Sequence, residues 1–246
     1  MGGGDARFPA TLWSQILSAR DPEHPANRTA LDELIRRYWK PVYAYVLFQW
    51  AHDGDKAKDL TQAFFTVFIE KDFLKSVDPG KGNFRSFLKA TLKHFLLNAK
   101  RDERRLKRGG DGVRIPFEEV QETVAHESDP AKDAEDAFDR AWRSTVLDQG
   151  IASLREELTA AGKQHQWQVF ESIVLIKTDK PPTYEEVARK LKLNVTDVTN
   201  HLHAVRKKLR ESLRRTLLEG LADPGDLDTE WRSVLHPERE RKTPPR

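Results

Sequence analysis

The chain has no cysteine in 246 residues. Disulfides and thiolate zinc sites are therefore excluded, which fits a reducing, cytoplasmic setting. No apolar run approaches the roughly 20 residues needed to span a bilayer. The opening MGGGDARFPATLW lacks the basic-then-apolar layout of a signal peptide, so the expectation is a soluble protein. Catalytic constellations are missing too. The eight histidines, at 24, 52, 94, 126, 165, 201, 203 and 236, form no H-x-x-x-H or H-E-x-x-H pair. The loop PGKGN, with Lys81, lacks the G-x-x-x-x-G-K-[ST] phosphate cradle, and the acid pair Glu118-Glu119 sits in a polar stretch. No enzyme, metal or cofactor is expected. Nor is there an excess of one charge: the net charge is only +3, so partners must be read from local clusters.

What the chain does have is helical periodicity. Charged residues make up 33% and aromatics 9%, a balance compatible with one large or two small globular domains. Apolar residues recur at steps of three and four nearly throughout, with no alternating strand pattern. The spacing predicts helices near 9–19, 28–50, 56–72, 84–107, 132–160, 163–177, 183–191, 195–219 and 226–235. Breaks fall at DPEHP, HDGD, VDPGKGN, RGGDG and DKPP. The fold class is all-α.

One segment stands apart. Between Gly109 and Asp139 there are ten acids against only Arg114 and Lys132, with weak apolar patterning before Ala134. Its first part, from Gly109 to about Pro130, reads as an acidic linker joining two helical domains. The resulting organisation is an N-terminal extension over 1–27, a helical domain over 28–108, the linker over 109–134, a second domain over 135–220 and a tail over 221–246.

The second domain carries TYEEVARKLKLNVTDVTNHLHAVRKKLR from Thr183 to Arg210. Thr183 and Glu186 have the T-x-x-E spacing of a capping box. Tyr184, Val187, Ala188 and Leu191 share one face. After the turn Lys192-Leu193-Asn194, with Asn194 or Thr196 able to cap, a second helix lines up Val195, Val198, Leu202, Val205, Leu209 and Leu213. The opposite face presents Thr196, Asn200, His203 and Lys207, bordered by Thr199 and Arg206, and RKKLRESLRR follows with six bases against one acid. Such side chains hydrogen-bond base edges and phosphates, so the pair has the layout of a helix-turn-helix. An ordinary helical hairpin with a solvated basic face has the same pattern.

In the first domain, Phe84, Phe87, Leu88, Thr91, Leu92, Phe95 and Leu96 make an apolar stripe beside Arg85, Lys89, Lys93, Lys100 and Arg104. A basic face alongside aromatics can track a phosphate backbone and trap unpaired bases. The plainer alternative makes these phenylalanines core. Upstream, KDLTQAFFTVFIEK turns Leu60, Phe64, Val67 and Phe68 inward and leaves Asp59, Gln62 and Thr66 outside, a nearly neutral face suited to a protein partner.

DLTQAFF at 59–65, DPGKGNFRSFL at 78–88 and the helix pair at 184–206 resemble, in order, three motifs of bacterial RNA polymerase sigma factors of the two-domain, extracytoplasmic-function type. Phe87 stands where that family has Trp, and Lys192 where many such turns have glycine. The resemblance implies a transcription initiation factor. Asp59, Leu60, Gln62 and Phe65 would dock on the β′ clamp of core polymerase, with the β flap as a further contact. Asn83, Phe84, Arg85, Lys89, Lys93, Lys100 and Arg104 would hold the melted minus-ten element. Thr196, Thr199, Asn200, His203, Arg206 and Lys207 would read the minus-thirty-five element. The acidic linker would thread the polymerase's single-stranded channels. Trp13, Trp39 and Trp231 suggest helices, beyond the shared core, docked against the domains or a regulator such as an anti-sigma factor. Two rivals share parts of the pattern: an operator-binding regulator that is no polymerase subunit, and a sigma-like interaction protein that never initiates transcription.

Overall fold

The computed structural model describes residues 16, 18–50, 53–71, 73–77, 84–106, 130–176, 180–219, 225 and 227–235. Among them there is no strand. The helices are α1 (Asn27–Gln49), α2 (Gly54–Glu70), a 3₁₀ turn (Phe73–Ser76), α3 (Phe84–Leu106), α4 (Pro130–Ala160), α5 (Gln164–Phe170), α6 (Tyr184–Leu191), α7 (Val195–Glu219) and α8 (Leu227–Leu235). The predicted helix over 9–19 falls mostly outside the described residues, as do the tail and the linker up to Pro130.

Two compact units emerge, and α4 contributes to both, through Arg143 to the first and from Ser144 to the second. The sequence-based boundary near 135 therefore differs from the structural one. The reason is a set of buried residues at the start of α4, described below.

The first unit is built on aromatics. α1 buries Ala30, Leu34, Tyr38, Val42, Tyr45 and Val46 at helical spacing. Its first residue, Asn27, donates through Nδ2 to the carbonyls of Ser18, Ala19 and Asp21 at 2.9–3.3 Å, satisfying backbone acceptors just upstream. Asp53 caps α2 by accepting from the Lys56 amide at 3.0 Å. α2 then packs Phe64 edge-on against Phe95 of α3 at 5.5 Å, and Tyr38 of α1 meets Phe84 of α3 at 5.3 Å. Phe65 stacks on Trp39 at 5.7 Å. Edge-to-face pairs of this kind add about 0.5–1.5 kcal/mol beyond area burial, so three helices are pinned by rings rather than by aliphatic contact alone.

The core of the second unit joins Leu154 and Leu158 of α4 to Trp167, Val169 and Phe170 of α5, Val187 and Ala188 of α6 and Val198, Leu202 and Val205 of α7. Gly150 is needed for this: a Cβ there would stand 2.8 Å from a methyl of the buried Leu213. α4 ends in a Schellman motif, with Gly162 at φ +68° and the Lys163 amide donating to the Leu158 carbonyl at 2.8 Å. The helix expected over 163–177 stops short. After Phe170 it widens into a π-type turn at Glu171–Leu175, with the Ile176 amide donating to the Glu171 carbonyl, and the backbone extends at Ile176. The apolar periodicity continues through that stretch, so spacing alone hid the change.

Candidate nucleic-acid interface

The α6–α7 pair is fixed by three local devices. Thr183 and Glu186 form the expected capping box, the hydroxyl accepting from the Glu186 amide at 3.2 Å and the carboxylate from the Thr183 amide at 2.8 Å. Lys192 takes φ +56°, the left-handed position usual for glycine, and lets the Leu193 amide reach the Ala188 carbonyl at 2.9 Å. Of the two candidate caps for α7, Asn194 serves, its Oδ1 accepting from the Asp197 amide at 2.6 Å. The lysine explains why the sequence lacked the expected glycine: it adopts the same conformation.

α7 buries Val198, Leu202, Val205, Leu213 and Leu217. Val195 departs from the predicted stripe. It is 40% exposed, because it lies in the first turn, ahead of the core contact. Thr196, Thr199, Asn200, His203, Arg206 and Lys207 are all exposed, so the six predicted readers share an open face. The Thr199 hydroxyl donates to the Val195 carbonyl at 3.1 Å, and Lys207 lies 4.0 Å from Glu211 one turn on. Lys208, by contrast, pairs with Glu157 of α4.

On α2 the division follows the sequence reading, with one exception. Asp59, Gln62 and Thr66 are exposed, Leu60 and Val67 are half-buried, and Phe64 and Phe68 are buried. Phe65 is the exception, 3% exposed beneath Trp39. Its ring is part of the core, and the open surface of this helix is formed instead by Asp59, Gln62, Ala63, Thr66 and Ile69.

The basic face of α3 differs most from expectation. Phe84 is fully buried against Tyr38 and offers no surface for a base. Asn83 and most of the loop before it lie outside the described residues, as does the Arg104 side chain. Lys100 donates to Gln49 Oε1 at 2.9 Å and stands 5.0 Å from the centre of the Trp50 ring. Lys93 is half-buried.

Arg85 and Lys89 lie under the start of α4. The Arg85 guanidinium sits 4.2 Å from the centre of the Trp142 ring and 3.7 Å from Asp139. The Lys89 ammonium lies 3.2 Å from Asp139, 3.9 Å from Glu135 and 5.9 Å from the Phe138 ring centre. The two basic side chains are 13% and 18% exposed. Ala134, Ala137, Phe138 and Trp142 are buried alongside. Burial of Phe138 and Trp142 contributes about 1.5–3 kcal/mol each. A partly screened ion pair gives about 1 kcal/mol or less. Apolar packing therefore holds this segment down, and the charges set its register. Arg143 ends the cluster: burial first, then the nearby Arg85 and Arg140, hold its guanidinium below its ordinary range against the opposing pull of Asp139 and Asp136.

By composition the segment up to 134 reads as a tether and the residues after it as the second domain. The missed signal was the spacing of Glu135, Phe138, Asp139 and Trp142, three, one and three residues apart. That spacing puts acids and rings on one helical face, complementary to Arg85 and Lys89 four residues apart on α3.

Among the described residues no cluster of His, Asp or Glu is arranged to hold a metal ion, and no helix is long and apolar enough to cross a membrane. The family model for ECF sigma factors matches residues 29–215, spanning α1 to α7. The RNA polymerase sigma factor YlaC of Bacillus subtilis (strain 168) is 24% identical over 190 residues, covering 77% of this chain and 95% of the relative. No solved structure matches the chain. With the match running through every helix that carries a candidate site, the chain belongs to the ECF sigma factor family and is a promoter-specific transcription initiation factor acting with RNA polymerase.

Proposed function

We propose a division of labour along the chain. The observation that carries it is the face of α7: six polar or basic side chains, all exposed, standing opposite a continuous buried stripe on a helix whose first turn is capped by Asn194. On this reading α6 and α7 form a helix-turn-helix. Thr196, Thr199, Asn200 and His203 read base edges of the minus-thirty-five element in the major groove, while Arg206 and Lys207 grip flanking phosphates. A rigid first turn matters because readout by side chains near a helix start needs a fixed approach angle.

The exposed Asp59 and Gln62 of α2, with the half-buried Leu60, dock on the β′ clamp; the second unit meets the β flap. The α3 face, with Arg85, Lys89, Lys93, Lys100 and Arg104, holds the opened minus-ten strand, next to the loop bearing Asn83. Extruding a base costs a few kcal/mol, so a grip on the single strand must be paired with a site that rewards the unpaired base. Two DNA contacts carried by separate units favour promoters with the right spacing over isolated sites. The stretch over 109–129 runs through the polymerase's single-stranded channels, where its acids imitate nucleic acid. A regulator that sequesters these surfaces would control the factor, which works where the polymerase works, in the cytoplasm.

The full chain, with core polymerase and a cognate promoter, tests this. Asn200→Ala with Arg206→Ala should leave polymerase binding unchanged and reduce transcription by at least about 5- to 150-fold, the base-edge contact of Asn200 alone being worth about 1–3 kcal/mol. Equal loss of polymerase binding would contradict the assignment.

A further inference from the structure

The start of α4 covers part of the surface just assigned to the minus-ten strand. We propose that residues Ala134–Arg143 are a built-in stand-in for nucleic acid, which closes the Arg85–Lys89 part of α3 in the free chain and must be displaced before that part grips single-stranded DNA. The inference rests on the reading of α3 as the strand-binding face.

The chemistry of the contact motivates it. Asp139 and Glu135 present carboxylate oxygens at 3.2 and 3.9 Å from the Lys89 ammonium, as a phosphate would. Trp142 lays its ring 4.2 Å from the Arg85 guanidinium, the contact an unstacked base would make. Both groups recognised by a single-strand site, an anionic oxygen and a flat π face, are thus supplied in cis, about one helical turn apart, to two cations themselves one turn apart on α3. A segment placed there only for packing would need Phe138 and Ala134 but no carboxylate aligned with each cation. Lys93, one turn further on, has no contact with the segment among the described interactions, so the cover is partial. Free chain should accordingly bind single strands weakly, and binding should rise when α4 is loosened.

The test uses the full chain and a fluorescent oligothymidylate of about 20 nucleotides, longer than one single-strand site, read by anisotropy at low salt. Glu135→Gln with Asp139→Asn keeps size and packing while removing both charges. It should tighten binding about tenfold, the equivalent of roughly 1.4 kcal/mol. Asp32→Asn with Glu33→Gln, exposed on α1, changes net charge equally and should leave affinity within about twofold, the effect of long-range screened charge alone. Adding Lys89→Ala to the cover variant should abolish the gain, and Trp142→Leu in an otherwise unchanged chain should itself tighten binding. Circular dichroism confirms folding; the isosteric pair carries the test even if Trp142→Leu unfolds. A folded cover variant that binds no tighter, a gain matched by the α1 control, or a gain that survives Lys89→Ala overturns the proposal. Lys93→Ala separates this from the underlying reading. If it weakens promoter opening with polymerase while the cover variant shows no gain, α3 still holds the strand and only the cover is refuted. If neither Lys93→Ala nor Arg85→Ala with Lys89→Ala affects opening, the reading of α3 fails and the cover falls with it.

Discussion

The side chain of Asn194 accepts a hydrogen bond from the amide of Asp197 at 2.6 Å, closing the first turn of α7 just where its exposed polar face begins. Removing that acceptor leaves the amide dependent on water. Asn194→Ala should lower stability by about 1 kcal/mol, and Asn194→Asp or Asn194→Ser should retain most of it. Thermal melts of the purified chain read the difference, and promoter affinity should follow the same order.

Lys192 holds the turn before that cap in the left-handed region, φ +56°. A side chain there costs about 1 kcal/mol or somewhat more. Glycine removes the strain but enlarges the unfolded ensemble. Lys192→Gly should therefore stabilise by about 0.5 kcal/mol, seen as a raised denaturation midpoint with unchanged slope. A lowered midpoint would show that the lysine side chain contributes something the backbone does not.

On α2 the exposed and buried halves of DLTQAFF should separate cleanly. Asp59→Ala with Gln62→Ala alters surface residues and should shift stability by no more than about 0.5 kcal/mol each, while weakening capture of core polymerase. Phe65→Ala deletes a buried ring stacked on Trp39 and should destabilise by about 3–5 kcal/mol. Pull-down with core polymerase and parallel melts distinguish the two effects.

His94 sits on α3 with its pKa held below the ordinary 6.5, first by burial and then by the neighbouring Lys93. The unfolded chain therefore takes up this proton more readily than the folded one. Stability from this group is complete above pH 6.5 and declines as pH falls through that value toward the lower folded pKa. Melts between about pH 7.5 and 5.5 should show a drop that shrinks in His94→Gln; an unchanged drop would assign it to other groups.

Much of this was legible in the residues. The capping box at Thr183 and Glu186, the buried stripe of α7 and the outward Asp59 and Gln62 all follow from local chemistry and spacing. What was hidden depended on contacts far apart in the chain. Phe65 and Phe84 read as binding residues from the motif alone, yet Trp39 and Tyr38, some 26 and 46 positions earlier, enclose them. Arg85 and Lys89 formed an open basic face until Asp139 and Trp142 arrived from some 50 positions downstream. The helix from 132 was legible, but its start reads as part of the second domain by composition, whereas Glu135, Asp139 and Trp142 on one of its faces dock on α3.

The most direct test of the account is transcription in vitro from fragmented genomic DNA, with core polymerase and the full chain, mapping every start site. The expected result is a discrete set of starts that share two spaced upstream elements. Asn200→Ala with Arg206→Ala should reduce initiation there by weakening the outer element alone, and Asp59→Ala with Gln62→Ala should reduce it at every start by weakening polymerase capture. Absence of any start site dependent on the chain, or starts unaffected by both pairs of substitutions, would contradict it.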